Sequence, residues 1–276
     1  MDDAYTDGLC FIGTATTLIR YAGFTVLTDP NFLHRGERVY LGKGRWTTRR
    51  TDPAIEIGDL PDLDLVVLSH LHGDHFDRVA REGLDRSVPI ATTPAAARRL
   101  SRWGFVTRPL RTWQSTAVHR NGAMLRVVSL PGRHARSAAV ARLFPPVMGS
   151  LLEITGPGLP PLRLYLSGDT LVSDDLREIA RRHPDLDLGV LHLGGTKVFG
   201  LLLSMDGRQG VDLLEILRPR YAVPVHVDDY PVFRSPLSDF LAEVERRRPA
   251  SRVVTVGRGE TLPLPVTAAG PASSRR

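Results

Sequence analysis

Three histidines and an aspartate lie within six residues of one another, directly after a short apolar run. They are His70, His72, Asp74 and His75. The apolar residues 65–68 predict a buried strand, and side chains at the end of a strand are held rigidly. Imidazole and carboxylate ligands suit zinc, manganese or iron, and the absence of cysteine from the segment argues against a closed structural zinc site. A loop that only capped the next helix would need one Asp or Ser, so the pattern predicts an open, catalytic metal site.

The same segment resembles the His-x-His-x-Asp-His signature of the metallo-β-lactamase superfamily, and the resemblance extends over nearly the whole chain. Three further candidate ligands follow strand-like segments in the order expected for that family: His134, Asp169 and His226. The Thr-Asp-Pro segment at residues 28–30 is similar to a motif of the branch that contains L-ascorbate-6-phosphate lactonase and N-acyl-phosphatidylethanolamine phospholipase D. The resemblance implies a fold of the α/β (α+β) class, a four-layer αββα sandwich with a two-metal site at one edge.

The family pattern, carried over position by position, assigns the candidate ligands to two divalent metal ions. It places His70, His72 and His134 on the first ion, Asp74, His75 and His226 on the second, and Asp169 between them. The implied ions are zinc, with manganese or iron as alternatives, because ligand identity alone does not determine the metal. Two cations about 3.5 to 4 Å apart lower the pKa of a shared water towards about 7. The resemblance therefore implies a hydrolase whose nucleophile is a metal-bridging hydroxide, with Asp74 and Asp169 as catalytic carboxylates.

Two further residues are predicted to act beside the ions. By the same resemblance, Asp29 accepts a hydrogen bond from the second nitrogen of a ligand histidine and fixes its tautomer. The alternative is a turn-forming aspartate before proline. His192 ends a strand-like segment that faces the site in the resembled branch. It is a candidate catalytic proton donor or substrate contact, with a satisfied core histidine as the alternative.

Substrate contacts are expected in segments that lack periodicity or carry apolar loops. Residues 31–58 form a long irregular segment with aromatic and basic side chains, which is typical of a lid over a site or of a surface loop. The apolar loops 143–149 and 199–205 suit the apolar part of a substrate, a lipid-like chain, or a partner subunit in a homo-oligomer. The candidate substrate-binding residues in and near these segments are Trp46, Arg133, Thr196, Lys197 and Phe199.

Length and composition fit one globular domain. The 276 residues are 42% hydrophobic, and we expect residues 1–266 to form the hydrolase domain and the patternless residues 267–276 to be a disordered tail. No apolar run is long enough for a membrane span, and the acidic start lacks the apolar core of a signal peptide, so we expect a cytoplasmic protein. The single cysteine, Cys10, lies in an apolar segment and is expected to be a packed thiol.

The net charge of +6 raises the question of nucleic-acid binding. Arginine supplies nearly all of the positive charge and is dispersed over helix-like segments, which indicates solvated surface rather than a basic stripe, so we expect no nucleic-acid partner. Three functions stay open: a hydrolase of a small-molecule ester, lactone or phosphodiester, an RNA-processing metallonuclease, and a non-catalytic metal-binding or interaction protein on the same fold. The Thr-Asp-Pro motif favours the first by analogy, and the complete ligand set argues against the third.

Overall fold

The structure, a computed structural model, describes residues 7–42, 44–135, 137–198 and 200–264. Its strands are β1 (Gly8–Gly13), β2 (Thr16–Tyr21), β3 (Phe24–Thr28), β4 (Arg38–Gly42), β5 (Arg45–Thr48), β6 (Leu65–Leu68), β7 (Ile90–Thr92), β8 (Thr107–Pro109), β9 (Ser115–Arg120), β10 (Ala123–Pro131), β11 (Met148–Gly156), β12 (Leu159–Leu166), β13 (Leu188–His192), β14 (Lys197–Val198), β15 (Leu201–Leu202), β16 (Tyr221–Val225), β17 (Arg252–Val253) and β18 (Thr261–Pro263). Its α-helices are α1 (Arg78–Gly83), α2 (Pro94–Arg102), α3 (Ala138–Ala141), α4 (Asp174–Arg182), α5 (Gly207–Leu217) and α6 (Leu237–Arg247). The tail predicted at residues 267–276 lies outside the described residues, as do the first and last residues of the predicted domain.

Most of these strands belong to two seven-stranded sheets. The first has the order β18-β1-β2-β3-β6-β7-β8 and the second β17-β16-β13-β12-β11-β10-β9. In the first sheet β3, β6, β7 and β8 run parallel, and in the second β12, β13, β16 and β17 do. Strand β10 has the same direction as β12 because both are antiparallel to β11 between them. Parallel strands end at the same edge, so the loops that follow them can meet there.

The two sheets face each other across an apolar core and carry helices on their outer faces. Val26 of β3 and Leu152 of β11 belong to the core between the sheets. Helices α4, α5 and α6 cover the second sheet in a separate cluster that includes Leu214. Helices α1 and α2 cover the first sheet in a third cluster that includes Leu100. The layers are helix, sheet, sheet, helix, which confirms the predicted αββα sandwich.

Strand β6 shows how the sequence builds these layers, because successive side chains of a strand point to opposite faces. Leu65 and Val67 face the central core, whereas Val66 and Leu68 face the helices. A strand buried on both faces must be apolar throughout, which explains the unbroken run at residues 65–68. The metal-binding motif therefore begins at a strand that is held on both sides.

The segment 31–58 is less irregular than its sequence indicates. Strands β4 and β5 form an antiparallel hairpin in which Tyr40 lies opposite Trp46. The hairpin buries only Val39 of β4 and Thr47 of β5. Because so few of its side chains are buried, its sequence lacks the alternation of apolar and polar residues that predicts a strand. The prediction of a wholly irregular segment was wrong for this reason.

Candidate metal centre

Seven side chains from both sheets converge at one edge of the sandwich. They follow the ends of β6, β10, β12 and β16, and they are His70, His72, Asp74, His75, His134, Asp169 and His226. They form three overlapping triplets, in each of which the ligand atoms lie within 4.8 Å of one another: His70, His72 and His134; His70, His75 and Asp169; and Asp74, His75 and His226. The structure therefore brings together all of the metal ligands proposed from the sequence.

The loop after β6 is compact because it folds into a helical turn. The amides of His75 and Phe76 both donate to the carbonyl oxygen of His72, at 3.1 and 2.8 Å. Gly73 lies inside this turn, against the β4–β5 hairpin, and a Cβ atom there would lie 2.5 Å from the carbonyl oxygen of Tyr40. Glycine thus allows the hairpin to approach the loop that carries four of the ligands.

His70, His72 and His134 form the first group. Nε2 of His70 lies 2.9 Å from Nδ1 of His72, and the ring centroids of His70 and His134 are 4.6 Å apart. Nδ1 of His134 donates to the carbonyl oxygen of Leu203 at 3.2 Å, which leaves its Nε2 lone pair for a cation. Burial lowers the pKa of His72 to about 4 and also lowers the pKa of His70 and of His134. The three rings are therefore neutral, which is the form that binds a cation.

Asp74, His75, Asp169 and His226 form the second group. Nε2 of His75 lies 3.4 Å from Oδ1 of Asp169, and Nε2 of His226 lies 3.4 Å from Oδ2 of Asp74. Burial by itself would lower the pKa of His75 and of His226, but the neighbouring carboxylates outweigh it and raise both. Burial would likewise raise the pKa of Asp74 and of Asp169, and the two histidines lower it. Binding of a cation to this group would therefore be accompanied by proton release.

Five ligand atoms of the two groups are buried and lack a hydrogen-bond partner among the described residues. They are Oδ1 of Asp74, Nε2 of His75, Nε2 of His134, Oδ1 of Asp169 and Nε2 of His226. Buried polar atoms are nearly always paired, so five unpaired atoms at one place require an explanation. Converging nitrogen and oxygen atoms without a thiolate suit divalent cations. The residues present fit a metal centre.

Asp29 supports the second group from the side opposite to the unpaired atoms. Its Oδ2 lies 2.9 Å from Nδ1 of His75 and 3.1 Å from Nε2 of His192, and it accepts a hydrogen bond from the Ser69 hydroxyl at 2.8 Å. Burial by itself would raise the pKa of Asp29, but the charge of His75 and the hydrogen bonds from both histidines lower it. An ionised Asp29 holds Nδ1 of His75 and so directs Nε2 towards the other ligands.

His192 faces Asp29 and not an open space. Its Nδ1 lies 3.2 Å from the Ser167 hydroxyl, and that hydroxyl also accepts the His192 amide at 2.8 Å. The side chain is buried, and His192 is not among the described residues that line the cleft over the ligands. This placement suits a residue that orients Asp29, and the role of proton donor stays a prediction.

A cleft of about 330 Å³ opens over four of the ligands, namely His72, Asp74, His134 and Asp169. Most of its walls are apolar or aromatic: Leu41, Leu71, Phe76, Trp103, Leu143, Phe144, Pro145, Leu203 and Val232. Its other polar side chains belong to Tyr40, Arg45, Arg99, Thr196 and Lys197. Apart from the two ligand carboxylates, the charged side chains among the described lining residues are all basic. The cleft therefore suits a molecule with an apolar part and no positive charge.

Some of the substrate contacts proposed from the sequence lie in this cleft. Thr196 and Lys197 line it, and Phe199 lies outside the described residues. The apolar loop 143–149 contributes Leu143 and the two residues that follow it to the wall. Contact of this loop with a substrate, a lipid or a partner subunit stays a prediction.

Two other proposed contacts, Trp46 and Arg133, are not among the described residues that line the cleft, and their role as substrate contacts stays a prediction. Trp46 is 54% exposed, and its ring centroid lies 5.1 Å from that of Tyr40, which lines the cleft instead. The guanidinium of Arg133 forms an ion pair with Asp175 at the start of α4. Position next to a ligand in the sequence, as for Arg133 beside His134, does not determine where a long side chain points.

The sequence does not single out Arg99 and Trp103 as cleft residues. They lie at the end of α2 and just after it, and the Arg99 guanidinium is 5.2 Å from the Trp103 ring centroid. Arg98 and Arg102 are equally basic and belong to the same helix, yet neither lines the cleft. Only the docking of α2 beside the metal loop distinguishes Arg99 from them.

The sequence and the fold of this chain are similar to those of known metal-dependent hydrolases. A model of the beta-lactamase superfamily domain matches residues 25–227. A UPF0173 metal-dependent hydrolase of Desulfitobacterium hafniense (strain Y51) is 26% identical over 218 residues, which cover 76% of this chain and 86% of that protein. The N-acyl-phosphatidylethanolamine-hydrolyzing phospholipase D 1 of Caenorhabditis elegans is 25% identical over 254 residues, which cover 84% of this chain and 67% of that protein. The crystal structure of a possible metal-dependent hydrolase from Veillonella parvula has the same fold, with a TM-score of 0.78, 21% identity, and coverage of 94% of this chain and 100% of that one.

Proposed function

This chain is a metal-dependent hydrolase of the metallo-β-lactamase superfamily, and on that premise we propose that it binds two divalent cations and hydrolyses a small-molecule ester, lactone or phosphodiester. The observation that carries the proposal is the convergence of seven nitrogen and oxygen ligands, among which five buried atoms lack a hydrogen-bond partner in the described residues. Unpaired buried polar atoms cost stability, so a protein that only shared the fold would gain by losing them.

The proposed roles follow from the two groups of ligands. One cation would be held by His70, His72 and His134, the other by Asp74, His75 and His226, with Asp169 between them. When bound, two such cations polarise the scissile group and acidify a water molecule. The chain itself orients the ligands, because the Leu193 carbonyl holds Nδ1 of His226 at 2.9 Å and the Leu203 carbonyl holds Nδ1 of His134. Asp74 and Asp169 supply the negative charge that keeps two cations close together.

The cleft supports a small-molecule substrate. A volume of about 330 Å³ is in the range of ligand pockets and is too small for a nucleic-acid duplex. Apolar walls beside Arg45, Arg99 and Lys197 suit a substrate that has an apolar group and is neutral or anionic. The C. elegans relative is named for cleavage of a phospholipid, and a lipid-like phosphodiester is one member of this class.

The direct test is a panel of chromogenic and simple substrates. Bis(p-nitrophenyl) phosphate, p-nitrophenyl butyrate and γ-butyrolactone would be offered to the protein loaded with zinc or with manganese, and again after treatment with a chelator. We expect turnover of at least one of the three, its loss with the chelator, and its return with metal. A protein that binds both cations and turns over none of the three would favour the non-catalytic alternative.

Replacing His192 by alanine should reduce kcat by about 10- to 100-fold, the usual effect of losing a group that supports a ligand. Because His192 contacts Asp29 and does not line the cleft, the loss should be equal for good and poor leaving groups. The measurement compares kcat for p-nitrophenyl and phenyl esters of one acid, with the exposed His119→Ala as a control. A loss of about 10² to 10⁴ that shrinks for the better leaving group would support the proton donor proposed from the sequence.

RNA binding should be weak and should disappear near physiological salt. Many arginines pair with surface carboxylates, as in Arg120 with Asp64 at 2.8 Å and Arg126 with Glu153 at 3.1 Å, so the positive charge is partly neutralised where it lies. Non-specific binding to phosphates falls steeply with salt, and fluorescence anisotropy of a labelled hairpin RNA at about 50 and 200 mM salt measures this. Tight, salt-resistant binding with metal-dependent cleavage would favour the nuclease alternative.

In the part of the chain that the structure describes, no helix is long and apolar enough to cross a membrane. A cytoplasmic location and a homo-oligomer stay predictions. Leu143 at the mouth of the cleft is 60% exposed, so an oligomer that used the loop 143–149 would cover it.

A further inference from the structure

The candidate ligand His226 has a left-handed backbone conformation, which is uncommon for residues other than glycine. It follows β16 directly, and its φ of 60° lies in the left-handed region. Asp228 has a φ of 62°, and Thr14, which contacts His226, has a φ of 52°. This conformation is unfavourable for residues other than glycine, although Asn, Asp and His adopt it more often than the others, so contacts with the surroundings stabilise it. Contacts outside β16 are therefore expected to help hold His226 in place.

Thr14 supplies these contacts through its backbone. The His226 amide donates to the carbonyl oxygen of Thr14 at 2.5 Å, and the Thr14 amide donates to Oδ2 of Asp229 at 2.6 Å. Thr14 lies in the turn between β1 and β2 of the first sheet, whereas His226 and Asp229 follow β16 of the second. This pair of hydrogen bonds joins the two sheets at the position of a metal ligand.

Asp229 in turn forms an ion pair with an arginine near the end of the described chain, Arg258. The side chain of Asp229 is 1% exposed, and its Oδ1 accepts hydrogen bonds from Nη2 of Arg258 at 2.6 Å and from the Thr51 hydroxyl. Nη1 of Arg258 also reaches the carbonyl oxygen of Ile12 at 3.4 Å. A carboxylate this deeply buried is stable only with a well-placed partner. Arg258 thus neutralises the side chain that anchors the segment after His226.

Gly13 provides the space for this arginine. A Cβ atom at Gly13 would collide with the guanidinium groups of Arg258 and Arg49. Glycine at this position, whose φ of 148° also disfavours other residues, leaves room for Arg258 beside Asp229.

We propose that Asp229 and Arg258 are positioning residues for His226, and that they set the affinity of the cation site to which His226 contributes without contacting the cation. Both side-chain oxygens of Asp229 already accept hydrogen bonds. Oδ2 accepts one from the Thr14 amide, and Oδ1 accepts one from the Thr51 hydroxyl and one from Arg258. The first group of ligands follows β6 and β10 and has no hydrogen bond to this pair, so the effect should fall on one cation of the two. The inference rests on the proposed function, because it requires a site for two cations.

The test is a titration of zinc into the full-length protein against a chromophoric chelator, for wild type and for Asp229→Asn. Asparagine keeps an acceptor for the Thr14 amide but loses the charge that pairs with Arg258. We expect one of the two zinc ions to bind about 10- to 100-fold more weakly and the other to bind as in wild type. The matched control is Arg247→Met, which removes an arginine paired with Asp212 and Glu215 between α5 and α6 and should bind both ions as wild type does.

The outcomes separate the two proposals. If wild type binds two zinc ions and Asp229→Asn weakens both equally or neither, the positioning role is overturned while the proposed function stands. If wild type binds fewer than two, both are overturned. If circular dichroism shows that Asp229→Asn does not fold, the double variant Asp229→Asn/Arg258→Met, which removes both charges of the ion pair together, is judged by the same criteria. Arg258→Lys keeps the charge and should retain the second ion better than Arg258→Met, whereas equal losses in these two variants would contradict the proposal.

Discussion

Asp169→Ala is expected to reduce turnover to the uncatalysed rate. Oδ1 of Asp169 lies 3.4 Å from Nε2 of His75 and 3.6 Å from Nδ1 of His226, and it is buried without a hydrogen-bond partner in the described residues. Its negative charge serves both proposed cation sites, so its loss should release at least one cation and the chemistry that depends on the pair. The measurement is kcat/KM for a substrate of the wild type, after reconstitution of the variant with zinc.

The same substitution should leave the fold intact. No hydrogen bond to Asp169 joins the strands, and the core lies behind it, so the melting temperature of the metal-free protein should change by no more than about 4 °C, which corresponds to about 1 kcal/mol in a domain of this size. Asp175→Ala is the control, because it removes a carboxylate that pairs with Arg133 outside the cleft, and its turnover should be close to that of wild type. Undiminished turnover by Asp169→Ala would refute the two-metal mechanism.

Removal of the metal with a chelator is expected to lower the melting temperature by about 10 °C or more. A ligand present at about 100 times its Kd stabilises the folded state by about 2.7 kcal/mol, and two cations double this contribution. In a domain of this size each kcal/mol corresponds to about 2 to 4 °C. The physical cause is the set of unpaired buried nitrogen and oxygen atoms, which a cation would satisfy. Differential scanning calorimetry with and without zinc measures the difference.

Two histidine variants show whether this shift comes from the proposed centre. His70 is fully buried and belongs to two of the three overlapping triplets of ligands, so His70→Ala should lose most of the metal-dependent shift. His119 is exposed on β9, so His119→Ala should keep the shift. Equal metal-dependent shifts in the two variants would contradict the assignment of the ligands.

The resemblance to the metallo-β-lactamase superfamily implied the layers and the candidate ligands, and local features of the sequence agree with them. The apolar run at residues 65–68 indicates a strand buried on both faces, and His70 follows it within two residues. His226 likewise follows β16 directly. Since the parallel strands of both sheets end at one edge, residues that follow these strands lie close together there, as the resemblance implied.

The cleft and the contacts that support it could not be predicted in the same way, because they depend on how distant segments pack. Thr14 and Asp229 are 215 residues apart in the chain, and nothing local to either indicates the hydrogen bond between them. Trp46 is an aromatic residue of the predicted lid segment 31–58, yet its partner across the hairpin, Tyr40, lines the cleft. His192 ends a strand at the correct edge, but its ring nitrogens contact Asp29 and Ser167. Side-chain direction in these cases follows from tertiary packing.

The most direct test of the account is a count of the metal ions together with their positions. Purified protein reconstituted with zinc would be measured by elemental analysis, and its crystals by anomalous diffraction at the zinc edge. The account predicts two zinc ions per chain, one among His70, His72 and His134 and one among Asp74, His75 and His226, with Asp169 between them. A single ion, no ion, or two ions bound elsewhere would contradict it.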